Sequence, residues 1–160
     1  MDYVSPLERR LIVAVNAYRA RYGLWDLAAD PILTVVAREG AQVGSHVYRG
    51  RWAHERARAR GFSGPVTDNV AIGYPTPESA VGDDFSGWGS RQGVGHNLQM
   101  LGQQKINGCW IDQRFNRIGA GVIGDRYCAV FGRLPEIPRP TAGPAKTSTG
   151  KVWKFVWELW

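Results

Sequence analysis

The sequence predicts an α+β domain in which helices come first and strands mostly last. Three observations carry this. Helix-start signals stand at Ser5-Pro6-Leu7-Glu8 and Asp30-Pro31, early in the chain. Two strand-like runs, Ile118 to Ile123 and Arg126 to Phe131, stand late and are joined by Gly124-Asp125, a two-residue link suited to a tight hairpin. A short apolar run, Val70-Ala71-Ile72, follows the polar turn Thr67-Asp68-Asn69 between them. This order suits mixed layering and not repeated βαβ units.

Each element has a local cause. Ser5 can cap the first helix, Pro6 fits its first turn and Glu8 can close a capping box. Leu7, Leu11, Val15, Tyr18 and Tyr22 then recur at spacings of three and four, giving one buried stripe, and Gly23 can supply the left-handed stop. After Asp30-Pro31, residues Ile32, Leu33, Val36, Ala37 and Val43 continue the pattern to Gly44, so His46 falls just past a helix end. A third short helix is expected from Trp52 to Arg60, ended by Gly61, and Thr76-Pro77-Glu78 opens a fourth.

With 160 residues, 44% hydrophobic and 21% charged, the chain is long enough for one core and has the balance of a globular protein. Its organisation reads as a domain over residues 1–133, a Pro/Gly/Thr-rich linker over 134–150 and a Trp-rich tail over 151–160. In the tail Trp153, Phe155, Trp157 and Leu159 alternate with Val152, Lys154, Val156 and Glu158, so an extended strand would carry one wholly apolar face. Helical spacing also fits, since Trp153, Val156, Trp157 and Trp160 lie three or four apart. Such a face needs a cover: its own domain, or another protein chain or second copy reached by strand addition.

The net charge of +6 is concentrated in Arg49, Arg51, Arg56, Arg58 and Arg60. No nucleic-acid-binding motif accompanies these arginines, so a solvated helix face is the better reading and nucleic acid is not the expected partner. No apolar run reaches the ~18 residues of a transmembrane segment, and Met1-Asp2-Tyr3-Val4-Ser5 lacks the regions of a signal peptide. Cys109 and Cys128 could form one disulfide in an oxidising compartment, or stand as two small buried hydrophobes in or beside strands. Neither belongs to a C-x-x-C unit, which argues against a zinc site made from the pair.

His46 and His96 both sit beside small residues, in Gly44-Ser45-His46 and Gly95-His96, where a cleft wall can approach closely. The ordered segments Val15-Asn16-Ala17-Tyr18-Arg19, Gly23-Leu24, Asp30, Ser45-His46, Arg56 to Gly61, Asp68-Asn69-Val70-Ala71-Ile72-Gly73, Gly95-His96 and Ile118-Gly119-Ala120-Gly121-Val122 resemble those of bacterial CAP (SCP-like) domains. These are relatives of the cysteine-rich secretory proteins, antigen 5 and the pathogenesis-related proteins. The likeness runs from about Pro6 to Arg133.

The resemblance implies a three-layer α/β/α sandwich with a cleft around His46 and His96, an extracellular or cell-surface address, and lipid or sterol as one ligand class. A cytoplasmic or virion-associated address stands beside it, because the chain shows no signal peptide. It also implies a divalent metal such as Zn²⁺ on His46 and His96, with Asp68 as a further ligand. Neutral imidazoles suit that ion. Two departures weaken the enzymatic side. Asp68 stands where the family has Glu, and the stretch before Gly95-His96 lacks the second Glu of many members, with Asp83 and Asp84 as nearby substitutes.

Ser45, Ser86 and Ser90 lie outside any nucleophile-elbow pattern, so a serine hydrolase is not indicated. His54 is expected to be exposed on its basic helix, and Trp52, Trp88 and Trp110 are expected in the core. The leading expectation is therefore a non-catalytic binding or assembly module with a docking tail. A metal-assisted hydrolase using His46, Asp68 and His96 is the alternative.

Overall fold

The computed structural model describes residues 3–44, 52–93 and 95–135. The elements run α1 (Pro6–Ala20), β1 (Ala28–Ala29), α2 (Pro31–Val43), α3 (Trp52–Ala59), β2 (Val66–Ile72), α4 (Pro77–Val81), a 3₁₀ turn (Gly87–Gly89), α5 (His96–Met100), β3 (Gln103–Ile106), β4 (Cys109–Asp112), β5 (Arg117–Ile123) and β6 (Arg126–Gly132). The helix starts form as their capping residues dictate. Ser5 Oγ accepts from the Glu8 amide while the Glu8 carboxylate accepts from the Ser5 amide. Asp30 accepts from the Leu33 amide at 3.0 Å, and Thr76 and Ser79 close a capping box at α4.

Four strands form one sheet in the order β1-β5-β6-β2. β5 and β6 pair antiparallel from Arg117↔Gly132 to Ile123↔Arg126 around Gly124, whose φ of +60° suits the tight link. β2 adds antiparallel to β6, from Val66↔Gly132 to Ile72↔Arg126. β3 and β4 make a separate hairpin, Gln103↔Asp112 to Ile106↔Cys109.

Helices cover both faces of the sheet. On one side Leu11, Val15 and Tyr18 of α1, with Val81 and Met100, pack on Ile118, Tyr127 and Phe131. On the other, Leu33, Val36 and Ala37 of α2 and Ala53 and Ala57 of α3 pack on Val66, Cys128 and Val130. This is the predicted three-layer α/β/α sandwich. The Gly119-Ala120-Gly121 segment has a clear cause. A Cβ on Gly119 would overlap the Leu33 carbonyl, and one on Gly121 the Ala37 carbonyl, so the α2 backbone lies directly on β5. Ile118 and Ala120 point the other way, into the α1 layer.

Several expectations need correction. Leu7 is 44% exposed and not part of the buried stripe. The first turn instead buries Glu8, whose carboxylate takes two bonds from Arg38 of α2, at 2.7 and 2.8 Å. Burial pushes the Glu8 carboxyl up, but the bonds from Arg38 and Ser5 outweigh it and hold it below the usual range. Val43 is exposed at the end of α2, and Tyr22 is only partly buried because α1 stops at Ala20. Of the tryptophans, Trp88 is buried while Trp52 and Trp110 are half-buried, and His54 is half-buried and not exposed. The sequence reading also lacked β1, α5, and the β3–β4 hairpin.

Both cysteines are free thiols in this structure, not bridged. Cys128 is the small buried hydrophobe expected of it. Cys109 is exposed on the separate hairpin, so that expectation fails for it. Ser45, His46, Arg49, Arg51 and residues 136–160, with Trp153, Phe155, Trp157 and Leu159, lie outside the described residues.

Candidate functional site

The segment carrying His96 is built against β2. Alternation along this strand sends Thr67, Asn69 and Ala71 to the face shared with α1 and α5, and Val66, Asp68 and Val70 to the face shared with α2 and α3. Asn69 is fully buried, and its Nδ2 donates to the His96 carbonyl at 3.0 Å. One helical turn on, Gln99 Nε2 donates to Thr67 Oγ1 at 2.8 Å. Two side chains two apart on a strand thus meet two residues three apart on a helix, which fixes how α5 lies on β2.

Other residues fix where α5 begins and ends. Gly95 opens the helix at a φ of +95°, and a Cβ there would strike the Trp110 indole, so β4 closes on the chain just before His96. At the far end Met100 is fully buried and its carbonyl accepts from Arg19 Nη1 at 2.6 Å. Arg19 also donates to the Trp25 carbonyl at 3.0 Å. Burial pushes its guanidinium down to about 10, with Asp26 and Asp112 opposing that shift. The Asn16-Ala17-Tyr18-Arg19 motif is therefore scaffolding. Asn16 exchanges two hydrogen bonds with Leu27, Tyr18 donates to the Gly89 carbonyl, and Arg19 clamps α5.

Asp68 and Asn69 divide between the two faces of β2. The Asp68 charge lies near Cys128, whose thiol is pushed up by burial first and by that charge second. Asn69 Oδ1 is buried and accepts no hydrogen bond among the described residues, and Trp88 Nε1 is buried and donates none among them. Each is an unmet polar group on the α5 side of the sheet. Asp83 and Asp84 are engaged elsewhere. Asp83 accepts from the Phe85 amide and the Ser86 hydroxyl, while Asp84 accepts from Tyr22 at 2.8 Å and pairs with Arg21 and Arg91. Ser86 is thus committed to its own turn.

Among the described residues, no three His, Cys, Asp or Glu side chains are placed to share an ion. A protein zinc site takes three or four such ligands, so the described residues do not compose one by themselves. No helix is long and apolar enough to cross a membrane, among the described residues.

No family model matches the chain, and no curated protein does. Solved structures do. A cysteine-rich secretory protein from Staphylococcus aureus subsp. aureus Mu50 superposes with a TM-score of 0.59 at 15% identity, over 80% of this chain and 38% of that one. An extracellular protein containing an SCP domain from Bacillus anthracis str. Ames superposes with a TM-score of 0.57 at 21% identity, over 79% of this chain and 40% of that one. The chain has a CAP-like fold. It spans about two fifths of the length of either neighbour, and the likeness at these identities is one of fold.

Of the pair Asp68-Asn69, it is Asn69 that bonds to the His96 carbonyl, beside the Thr67–Gln99 bond, while Asp68 lies on the other face of β2. Thr67, Gln99, Trp110 and Arg19 were not singled out as supports for that segment. Alternation continued backward from Val70-Ala71-Ile72 would have separated Asp68 from Asn69.

Proposed function

We propose that the chain is a non-catalytic CAP-domain module for binding or assembly, with the cleft at His46 and His96 as its ligand site and residues 151–160 as its docking segment. The observation that carries this reading is the Asn69–His96 bond. It anchors the histidine segment through its backbone, inside a clamp formed by Gln99, Trp110 and Arg19. A clamp of this kind holds a surface in one shape, which is what a binding site needs. The apolar alternation of the tail supports a protein partner reached by strand addition. The secretory and extracellular descriptions of the two neighbours support an extracellular or cell-surface address.

A chain ending at residue 150, compared with the full chain by light scattering, tests the docking segment. Loss of assembly is expected, and an unchanged mass removes that part of the reading. The unmet acceptor at Asn69 Oδ1, beside the His96 segment, favours a second reading in which an ion is held by His46 and His96. Metal analysis of the purified chain and of His46→Ala decides between them. Stoichiometric metal that disappears in the variant supports the ion, and metal-free protein retires it.

A further inference from the structure

Asn107 and Gly108 link β3 to β4, both exposed and both at positive φ, +50° and +85°. The ladder closes on the Ile106↔Cys109 pair, so neither residue of the link is held by a strand partner. Nothing lies within 4 Å of the point that a Cβ on Gly108 would occupy. The Gly108 nitrogen is therefore uncrowded, and the Asn107 carboxamide carbon can close a five-membered ring with it. Ring closure needs the link to leave its left-handed conformation, which a hairpin tip without covering atoms does by local opening.

The other asparagines of the domain are placed differently. Asn16, Asn69 and Asn116 are held by hydrogen bonds through their side-chain amides and are followed by Ala17, Val70 and Arg117. Asn97 lies within α5, before Leu98. A bonded carboxamide or a helical backbone holds the reacting atoms apart, and a side chain on the next residue crowds the nitrogen.

We propose that Asn107 is a site of spontaneous deamidation, and that its isoaspartate product unseats Trp110 from Gly95, beside His96. In the first step the Gly108 nitrogen bonds to Asn107 Cγ and the Cγ–Nδ2 bond breaks. The amide leaves as ammonia, carrying the proton that the Gly108 nitrogen gives up. Water then opens the succinimide. Cleavage between the nitrogen and Cγ gives aspartate, and cleavage between the nitrogen and the main-chain carbonyl gives isoaspartate. Water is the only co-reactant, and nothing is oxidised or reduced.

Isoaspartate routes the main chain through Cβ and Cγ, which adds a methylene to a link of two residues. Link length sets the register of a hairpin, here Lys105↔Trp110 and Ile106↔Cys109. The Trp110 indole depends on that register. It closes on Gly95, one residue ahead of His96, with Lys105 Nζ 6.0 Å from the ring centroid. A shifted hairpin lifts the indole from the start of α5, so the change at Asn107 reaches the His96 segment through packing.

Peptide mapping by mass spectrometry tests the chemistry, on the full chain held at neutral and at mildly alkaline pH, on Asn107→Gln, and on the full chain unfolded in urea. Asn107 is expected to convert before any other asparagine, at a rate that rises in proportion to hydroxide because attack needs the deprotonated nitrogen. Asn107→Gln should lose the conversion, since its longer side chain must close a six-membered ring. An Asn107 that stays intact in the folded chain while converting in urea overturns the proposal, and so does conversion led by another asparagine.

The isoaspartate form, separated by ion exchange through its added charge, tests the coupling. Its amide chemical shifts should move at Gly95 to Met100 more than in α2. Asn107→Asp carries the charge without the extra methylene and should leave Gly95 to Met100 unmoved. Shifts of the isoaspartate form confined to β3 and β4, or equal shifts in Asn107→Asp, overturn the coupling. Metal content and assembly enter neither readout, so failure here leaves the proposed function standing.

Discussion

Replacing Asn69 by Ala removes the side chain that fastens the His96 segment to β2. The donor at 3.0 Å from the His96 carbonyl is lost. That carbonyl is part-buried and opens α5, so the cost is one net hydrogen bond, about 0.5–1.5 kcal/mol, together with the packing of a fully buried side chain. The substitution also deletes Asn69 Oδ1, which is buried and without a bond among the described residues, and this offsets part of the loss. The net destabilisation is about 1–2 kcal/mol. In a domain of this size that lowers the thermal midpoint by roughly 4–8 °C. Scanning calorimetry measures it, and amide chemical shifts should change around His96 to Met100 more than in α2. Asn69→Asp makes a sharper companion. At neutral pH it sets a carboxylate against the His96 carbonyl, whereas the protonated acid at low pH can donate to it, so its penalty should shrink on acidification. A midpoint for Asn69→Ala within about 1 °C of the parent, with shifts no larger at His96 than elsewhere, would refute the role given to this bond.

Three other outcomes follow from the packing and charges. Gly121→Val drives a side chain into the Ala37 carbonyl of α2 and should cost more than about 4 kcal/mol, seen as loss of the cooperative transition; an ordinary transition would contradict the direct seating of α2 on β5. Glu8→Gln should cost about 1–2 kcal/mol at pH 7 and progressively less as pH falls below the ordinary carboxylate range, because a carboxyl held low in the folded state contributes stability above its unfolded pKa and loses it as pH falls through the folded value; a penalty independent of pH in urea titrations would contradict the Glu8–Arg38 pairing. A thiol reagent should modify Cys109 quickly in the native protein and Cys128 only after unfolding, so two equally fast thiols would contradict the burial of Cys128 against Gly40.

Much of the fold was legible because its signals are local. Ser5-Pro6, Asp30-Pro31 and Thr76-Pro77 each start a helix where the capping chemistry requires, and the Gly124-Asp125 link joins β5 to β6. The β3–β4 hairpin carries a local signal too. Asn107 and Gly108 both have positive φ between Ile106 and Cys109, the Asn-Gly signature of a two-residue hairpin, but the mixed polarity of Gln103 to Asp112 hid the strands on either side. The two residues of β1 and the five of α5 are too short to show a period, and they form because neighbours fix them: the Ala28↔Arg117 and Ala29↔Ile118 pairings for β1, and Asn69, Thr67 and Arg19 for α5. The site was legible as a motif and not as a geometry. Asp68-Asn69 stood out as a pair, and only a strand extending back to Val66 assigns the two side chains to different faces.

A crystal structure of the full chain locates the two imidazoles. The rings of His46 and His96 should share one cleft, with the His96 segment bonded to Asn69. Rings on opposite sides of the sheet would contradict it.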